Sequence, residues 1–259
     1  MAESRGGPEG FRCIYQDDDL VAIVKPSGLL VHRTALALQE TQFALQMVRD
    51  WLGQAVYPVH RLDRPTSGLL LMARSSEMAQ KLSLQFANQK VFKNYYAVVR
   101  GVPPASALIN YPLKEEWDRL GDAGVNPDKP EQPALTEIET LACVEFPVRV
   151  DRYPTSRYAL VRARPRTGRR HQIRRHLRHL GHPIVGDVNH GVGKHNRFFA
   201  STFGVQRLLL ACTEMAFEHP RTQEPLQLFA PPCPDFHQVL KALAWQDCVG
   251  PSWTRETIF

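Results

Sequence analysis

The stretch His60-Arg61-Leu62-Asp63-Arg64-Pro65-Thr66-Ser67-Gly68 sets one carboxylate between two guanidinium groups on a constrained turn. Pro65 fixes its own φ and pushes Arg64 toward an extended backbone, and Gly68 permits a sharp entry into the apolar run Leu69-Leu70-Leu71-Met72. Asp63 is thereby held in place, and an adjacent positive charge favours its ionised form. A fixed anion of this kind suits nucleophilic or base chemistry. Taken by itself, an aspartate in a Pro/Ser/Gly loop is more often a turn residue.

A second grouping is cationic. Between Arg157 and Arg178 stand Arg162, Arg164, Arg166, Arg169, Arg170, Arg174 and Arg175, with no acidic residue in the interval. Solvated faces usually mix signs, whereas guanidinium forks match phosphate oxygens bidentately. The block reads as a nucleic-acid surface in which Arg166, Arg169, Arg175 and Arg178 hold phosphates. His171, His176, His179 and His182 lack the i, i+4 pair of a helical zinc motif, so no metal is expected. Gly191 to His195, with Arg197, Phe198, Phe199 and Phe203, reads as a basic and aromatic loop that could touch RNA.

These groups need elements to position them. Leu20 to Val24 reads as a buried strand, followed by a type I turn over Lys25-Pro26-Ser27-Gly28. Helical spacing of Ala44, Met47, Val48, Trp51 and Leu52 stops at Gly53. A second helix is predicted over 76–89, with Ser75 as N-cap and Met78, Leu82 and Phe86 on one face. Strands are predicted over 91–100, 135–146 and 158–164; in the last, Ala159, Val161 and Ala163 form the apolar face and Tyr158, Arg162 and Arg164 the outer one. Residues 120–133 read as a long surface loop. Arg169 to Leu180 reads as a helix that buries Ile173, Leu177 and Leu180, turns Arg174 inward and leaves Arg175 and Arg178 in solvent. Short strands interrupted by a few helices predict an α+β fold with a mainly antiparallel sheet.

With 259 residues, 43% apolar and 22% charged, the composition is that of an ordinary globular protein with a net charge of +6. No apolar stretch reaches the roughly 18–20 residues of a membrane helix, and the N-terminus has no signal-like apolar core. Cys13, Cys143, Cys212, Cys233 and Cys248 are scattered, as expected for a reducing, cytoplasmic setting. Residues 1–10 read as a disordered leader, 11–247 as one catalytic domain and 248–259 as a tail.

The run HRLDRPTSGLLL resembles the catalytic motif of the RluA-type pseudouridine synthases. Lys25 to His32, Lys93 to Gly101 and Thr167 to Arg174 match the same family in the same order, and the likeness extends from about Phe11 to about Trp245. Within the family, HRLDRPTSG, Tyr111-Pro112-Leu113 with Glu115-Glu116, Arg152 to Tyr158, and Arg175-His176-Leu177 leading to Gly186-Asp187 are most similar to members acting on uridine 65 of tRNA. A ribosomal RNA uridine, or binding of RNA without catalysis, is the alternative.

The resemblance implies a bifurcated, mixed sheet with flanking helices and a central cleft. It implies Asp63 as nucleophile, Tyr95 packed against the target base and Arg174 as ion-pair partner of Asp63, with Tyr96 on the opposite strand face. Arg61 and Arg64 would touch phosphate or help displace the base, Arg64 being the more exposed, and Arg170 would join the RNA-binding arginines. An isomerisation needs no cofactor, and no obligate protein partner is expected. Ten leader residues are too few for the S4-type RNA-binding module of related families, so the catalytic domain itself would bind RNA. Ala211-Cys212 stands where relatives commonly have His-Ala, which puts a contact near the cleft in doubt.

Overall fold

The computed structural model describes residues 11–33, 40–115 and 129–250; the expected leader, most of the 120–133 loop and the end of the tail lie outside them. Among the described residues ten strands form one sheet. In chain order they are β1 (Arg12–Gln16), β2 (Leu20–Lys25), β3 (Tyr57–Pro58), β4 (Ser67–Ala73), β5 (Phe92–Arg100), β6 (Ser106–Asn110), β7 (Leu135–Phe146), β8 (Ser156–Pro165), β9 (Leu210–Glu218) and β10 (Pro225–Phe229). Five helices flank it: α1 (Ala44–Leu52), α2 (Ser76–Ala87), α3 (Gln172–His179), α4 (Gly193–Phe203) and α5 (Pro234–Ala242). The strand order is β1-β2-β4-β9-β5-β8-β7-β6, antiparallel except where β4 meets β9. The sheet forks at β9: Ala211 and Cys212 pair with β4, and Glu214–Glu218 pair with β10.

Each face of the sheet has its own core. Leu69, Leu71, Tyr95, Ala97, Val161, Ala163, Ile173, Leu177 and Cys212 pack on the face that carries α2 and α3. Tyr96, Val98, Tyr158, Leu160, Phe199, Phe236 and Trp245 pack on the other. A third cluster joins Val21, Ile23, Leu70 and Met72 to Ala44 and Val48 of α1. β4 is buried along its whole length, which explains an apolar run without alternation. Packing continues to Val249, which is buried, and to Gly250, whose N–H donates to the Tyr96 hydroxyl.

Local capping follows the sequence. Gly53 ends α1 in the left-handed conformation, and the Ser75 side chain accepts from Met78 N–H at the start of α2. Four expectations need correction. The turn after β2 is centred on Ser27 and Gly28, one residue later than predicted, because Gly28 (φ 90°) takes the left-handed position. Tyr158 does not face outward: it is fully buried, because α4 covers that face and His195 Nδ1 meets its hydroxyl at 2.7 Å. α3 begins at Gln172, since His171 adopts φ 53° and the Gln172 side chain accepts from Arg169 N–H. The segment 190–204 is mostly α4, with Phe199 buried, Phe198 and Phe203 packed on the same core, and Lys194 bound to Asp151, so its aromatics serve packing.

Candidate active site

Asp63 lies in the loop between β3 and β4, and a neighbouring turn clamps that loop. Lys25 Nζ donates to the carbonyls of Pro26, Leu29 and Arg64; Gly28 N–H donates to Arg64 O, and Ser27 Oγ to Pro65 O. Burial, reinforced by the charge of Arg207, pushes the Lys25 ammonium down to about 7, while Asp63 pulls it up. Thr66 N–H closes a turn on the Asp63 carbonyl. Past Ser67 the chain passes β9 so closely that a Cβ on Gly68 (φ 108°) would lie 2.0 Å from the Cys212 carbonyl oxygen. Only glycine allows β4 and β9 to pair here, and this approach sets where the loop leaves the sheet.

Arg174 is the hub of the site. Its side chain is 2% exposed and donates to both carboxylate oxygens of Asp187, at 2.7 Å from Nε and 2.8 Å from Nη2. Its third nitrogen, Nη1, lies 3.3 Å from Asp63 Oδ2. Asp187 is itself held by the backbone N–H groups of Asn189 and His190. Burial alone would discharge both partners, but it is outweighed: the two carboxylates keep Arg174 above its ordinary pKa, and Arg174 with His190 keeps Asp187 below its own. The result is an acid–guanidinium–acid chain ending at Asp63.

His171 adds a second polar contact, with Nε2 at 4.0 Å from Asp63 Oδ1 and Nδ1 at 3.0 Å from His190 Nε2. Its positive φ marks a backbone that the surrounding packing has to enforce. Tyr95 projects from β5 to the same side of the sheet as Ile173 and Leu177 of α3 and is 8% exposed. On β9 its register partner is the buried Cys212, so the Ala211-Cys212 departure falls directly beneath the tyrosine. Asp63, Tyr95, Arg174, Ile173 and Leu210 line a cavity of about 570 Å³. A second cavity of about 950 Å³ shares Asp63, Arg170, His171 and Arg174 with it.

The expected RNA-binding arginines divide. Arg61 is exposed and lines both cavities, whereas Arg64 is half-buried, donating to Gly28 O and pairing with Glu40 at 2.5 Å; the expected order of exposure is reversed. Arg162 pairs with Glu139, its register partner on β7, and Arg166, just past the end of β8, pairs with Glu137 of the same strand. The face therefore mixes signs, although the sequence interval does not. Arg169 donates to Pro133 O and Arg175 to Lys114 O, Arg170 lines both cavities, and Arg178 is exposed at the larger one. His176 is drawn to Thr136 and Tyr111 O, His179 stacks on Tyr111, and His182 meets Arg100 O, so these imidazoles do not converge.

Sequence reasoning missed Asp187 as a functional group. The only signal was its place in the Gly186-Asp187 pair, since nothing local says that an acid thirteen residues on will chelate Arg174. His171 and Lys25 stood inside quoted motifs without a role.

The sequence and the fold have counterparts. The family model for RNA pseudouridylate synthase matches residues 19–179. A tRNA pseudouridine synthase C of Vibrio cholerae serotype O1 is 47% identical over 234 residues, spanning 90% of this chain and 96% of its own. One from Pasteurella multocida is 51% identical over 217 residues, spanning 84% and 89%. Among solved structures, human RNA Pseudouridylate Synthase Domain Containing 4 superposes with a TM-score of 0.67 at 24% identity, covering 90% of this chain and 92% of its own, a likeness of fold. The family model spans more than half of the chain and the bacterial relatives are matched over most of their length, so the chain belongs to the RNA pseudouridylate synthase family.

Proposed function

We propose that this protein converts uridine to pseudouridine in tRNA, at position 65, with Asp63 as the nucleophile. The observation that carries the reading is the Asp63 carboxylate held by buried Arg174 in the wall of a cavity shared with Tyr95. The substrate assignment is supported by relatives named for tRNA, of which the Vibrio cholerae protein is matched over 96% of its length.

Isomerisation breaks the C1′–N1 bond, turns the uracil and joins C5 to C1′. The C5 proton leaves, N1 gains one, and no electrons enter or leave overall. Asp63 supplies the anion at the sugar, and Arg174, itself anchored by Asp187, orients its carboxylate. Tyr95 packs against the extruded base, a contact that contributes roughly 1–3 kcal/mol by analogy with other base–aromatic stacks. Extrusion costs a few kcal/mol, which phosphate contacts from Arg61, Arg169, Arg170 and Arg178 offset. Arg166 and Arg175 join them with part of their hydrogen-bonding capacity already used by the protein. A cytoplasmic setting belongs to the same reading, supported by five free cysteines.

The test is site-specific mapping of pseudouridine in RNA from cells with and without the protein. Loss of the modification at one tRNA position is expected. Unchanged tRNA with a missing ribosomal pseudouridine would redirect the substrate assignment, and no missing site would contradict the activity.

A further inference from the structure

Lys93 stands two residues before Tyr95 on β5, so the two side chains leave the same face of the strand, and both line the smaller cavity. Its side chain is half-buried, with the ammonium 5.9 Å from the centre of the Phe86 ring. Among the described residues that ammonium makes no hydrogen bond and no ion pair. This separates it from the other cations near the site: Arg64, Arg166 and Arg174 each have a carboxylate, and Lys25 has three carbonyls.

Asp63 and Glu115 line the same cavity without pairing with Lys93, and the other titratable groups about it supply no counter-charge. Burial pushes His60, stacked on Phe86, down to about 3, pushes the Cys212 thiol up to about 12, and raises the Tyr95 phenol. All three are neutral near pH 7. Burial also lowers the pKa of Lys93 itself, as expected of a cation that lacks a counter-charge. A half-desolvated charge is costly unless something pairs with it, and here the partner has to come from whatever occupies the cavity.

We infer that Lys93 is a further catalytic residue, whose ammonium donates to a uracil oxygen while the detached base carries the electron pair of the broken C1′–N1 bond. The inference rests on the reading of Asp63 and Tyr95 given above. When C1′–N1 breaks, its pair passes into the uracil ring and spreads over the ring nitrogens and carbonyl oxygens. When C5–C1′ forms, that pair returns to bonding, the C5 proton leaves and N1 is protonated. Positive charge beside the base is therefore worth most between the two bond changes. A phosphate oxygen shares the same anionic chemistry, but the place of Lys93 beside the stacking tyrosine favours the base.

The test compares Lys93→Met and Lys93→Arg in single-turnover conversion of an unmodified tRNA transcript at saturating protein, with tRNA affinity measured across salt concentrations. Removing one preorganised donor commonly costs about 10²–10³ in rate, so Lys93→Met is expected to lose about that much, with affinity and salt slope unchanged. Lys93→Arg is expected to recover a large part. A Lys93→Met rate equal to the parent overturns the inference, as does a weakened affinity with the salt slope flatter by about 0.9, which would assign Lys93 to a phosphate. Melting curves identify folded samples, and Lys93→Gln replaces Met if the latter destabilises the fold. Asp63→Asn runs in parallel: if it turns over like the parent, the reading of the site fails, whatever Lys93 does.

Discussion

Arg174 and Arg166 are eight residues apart and carry the same side chain, yet the molecule uses them in opposite ways. Arg174 is 2% exposed and spans two carboxylates, whereas the side chain of Arg166 is 50% exposed and shares one carboxylate with water. In the interior, attraction between charges is strong and so is the penalty for separating them, so removing one partner leaves an uncompensated buried charge. On the surface the same pair is screened and contributes roughly 0–1 kcal/mol. Charge in the first region fixes the Asp63 carboxylate; in the second it stays largely in solvent. The contrast teaches that a run of arginines in sequence is not one functional unit.

The strongest way to break the comparison is at the hub. Arg174→Ala strands Asp187 and Asp63 together and is expected to cost about 3–5 kcal/mol of stability, with loss of activity. Arg166→Ala is expected to change stability by less than about 1 kcal/mol. Chemical denaturation of the two variants measures both, and equal small losses would erase the distinction. Gly68→Ala comes next, expected to cost at least about 1–3 kcal/mol because a Cβ would meet the Cys212 carbonyl at 2.0 Å with φ at 108°. A melting temperature equal to the parent's would show that the β4–β9 approach is not a constraint.

The hub also predicts a pH dependence. Asp187 is held below its ordinary 3.8, Arg174 and His190 outweighing burial, so between the two values the unfolded chain binds more protons than the folded one. The stability it contributes is present above 3.8 and is lost as pH falls through the lower, folded value. Urea titrations of the parent and Asp187→Asn on either side of that window should differ in slope, and parallel curves would count against the buried chain. The smallest effects belong to the surface. Arg178→Ala is expected to flatten the dependence of log K for tRNA on log salt by about 0.7–0.9, and Arg166→Ala by less, because Glu137 already faces it. Equal slopes for the two variants would mean that the Glu137 pair does not persist in the complex.

What the sequence revealed followed from local chemistry. Periodicity and capping located α1 and α2, and the strands β5, β7 and β8 fell within a residue or two of their predicted bounds. Asp63, Tyr95 and Arg174 were legible through ordered motifs, and all three line one cavity. Partnerships over long sequence separations were not legible. Glu40 against Arg64, Asp187 against Arg174 and Glu137 against Arg166 depend on which strands and helices end up adjacent. Tyr158 was misread for the same reason: alternation on β8 assigns two faces but cannot say that α4 covers the second. The 190–204 segment looked like an RNA-binding loop because basic and aromatic residues mix there, and only the packed sheet face shows that its phenylalanines have a core to enter.

The most direct measurement is single-turnover conversion of an unmodified tRNA transcript by the parent protein and by Asp63→Asn, with tRNA binding measured on the same samples. Asparagine keeps the size and hydrogen bonding of the side chain but removes the charge that Arg174 holds. The predicted result is a fall of several orders of magnitude in the rate of pseudouridine formation, with tRNA affinity little changed. Conversion by Asp63→Asn within about tenfold of the parent would contradict the assignment of Asp63 as the nucleophile.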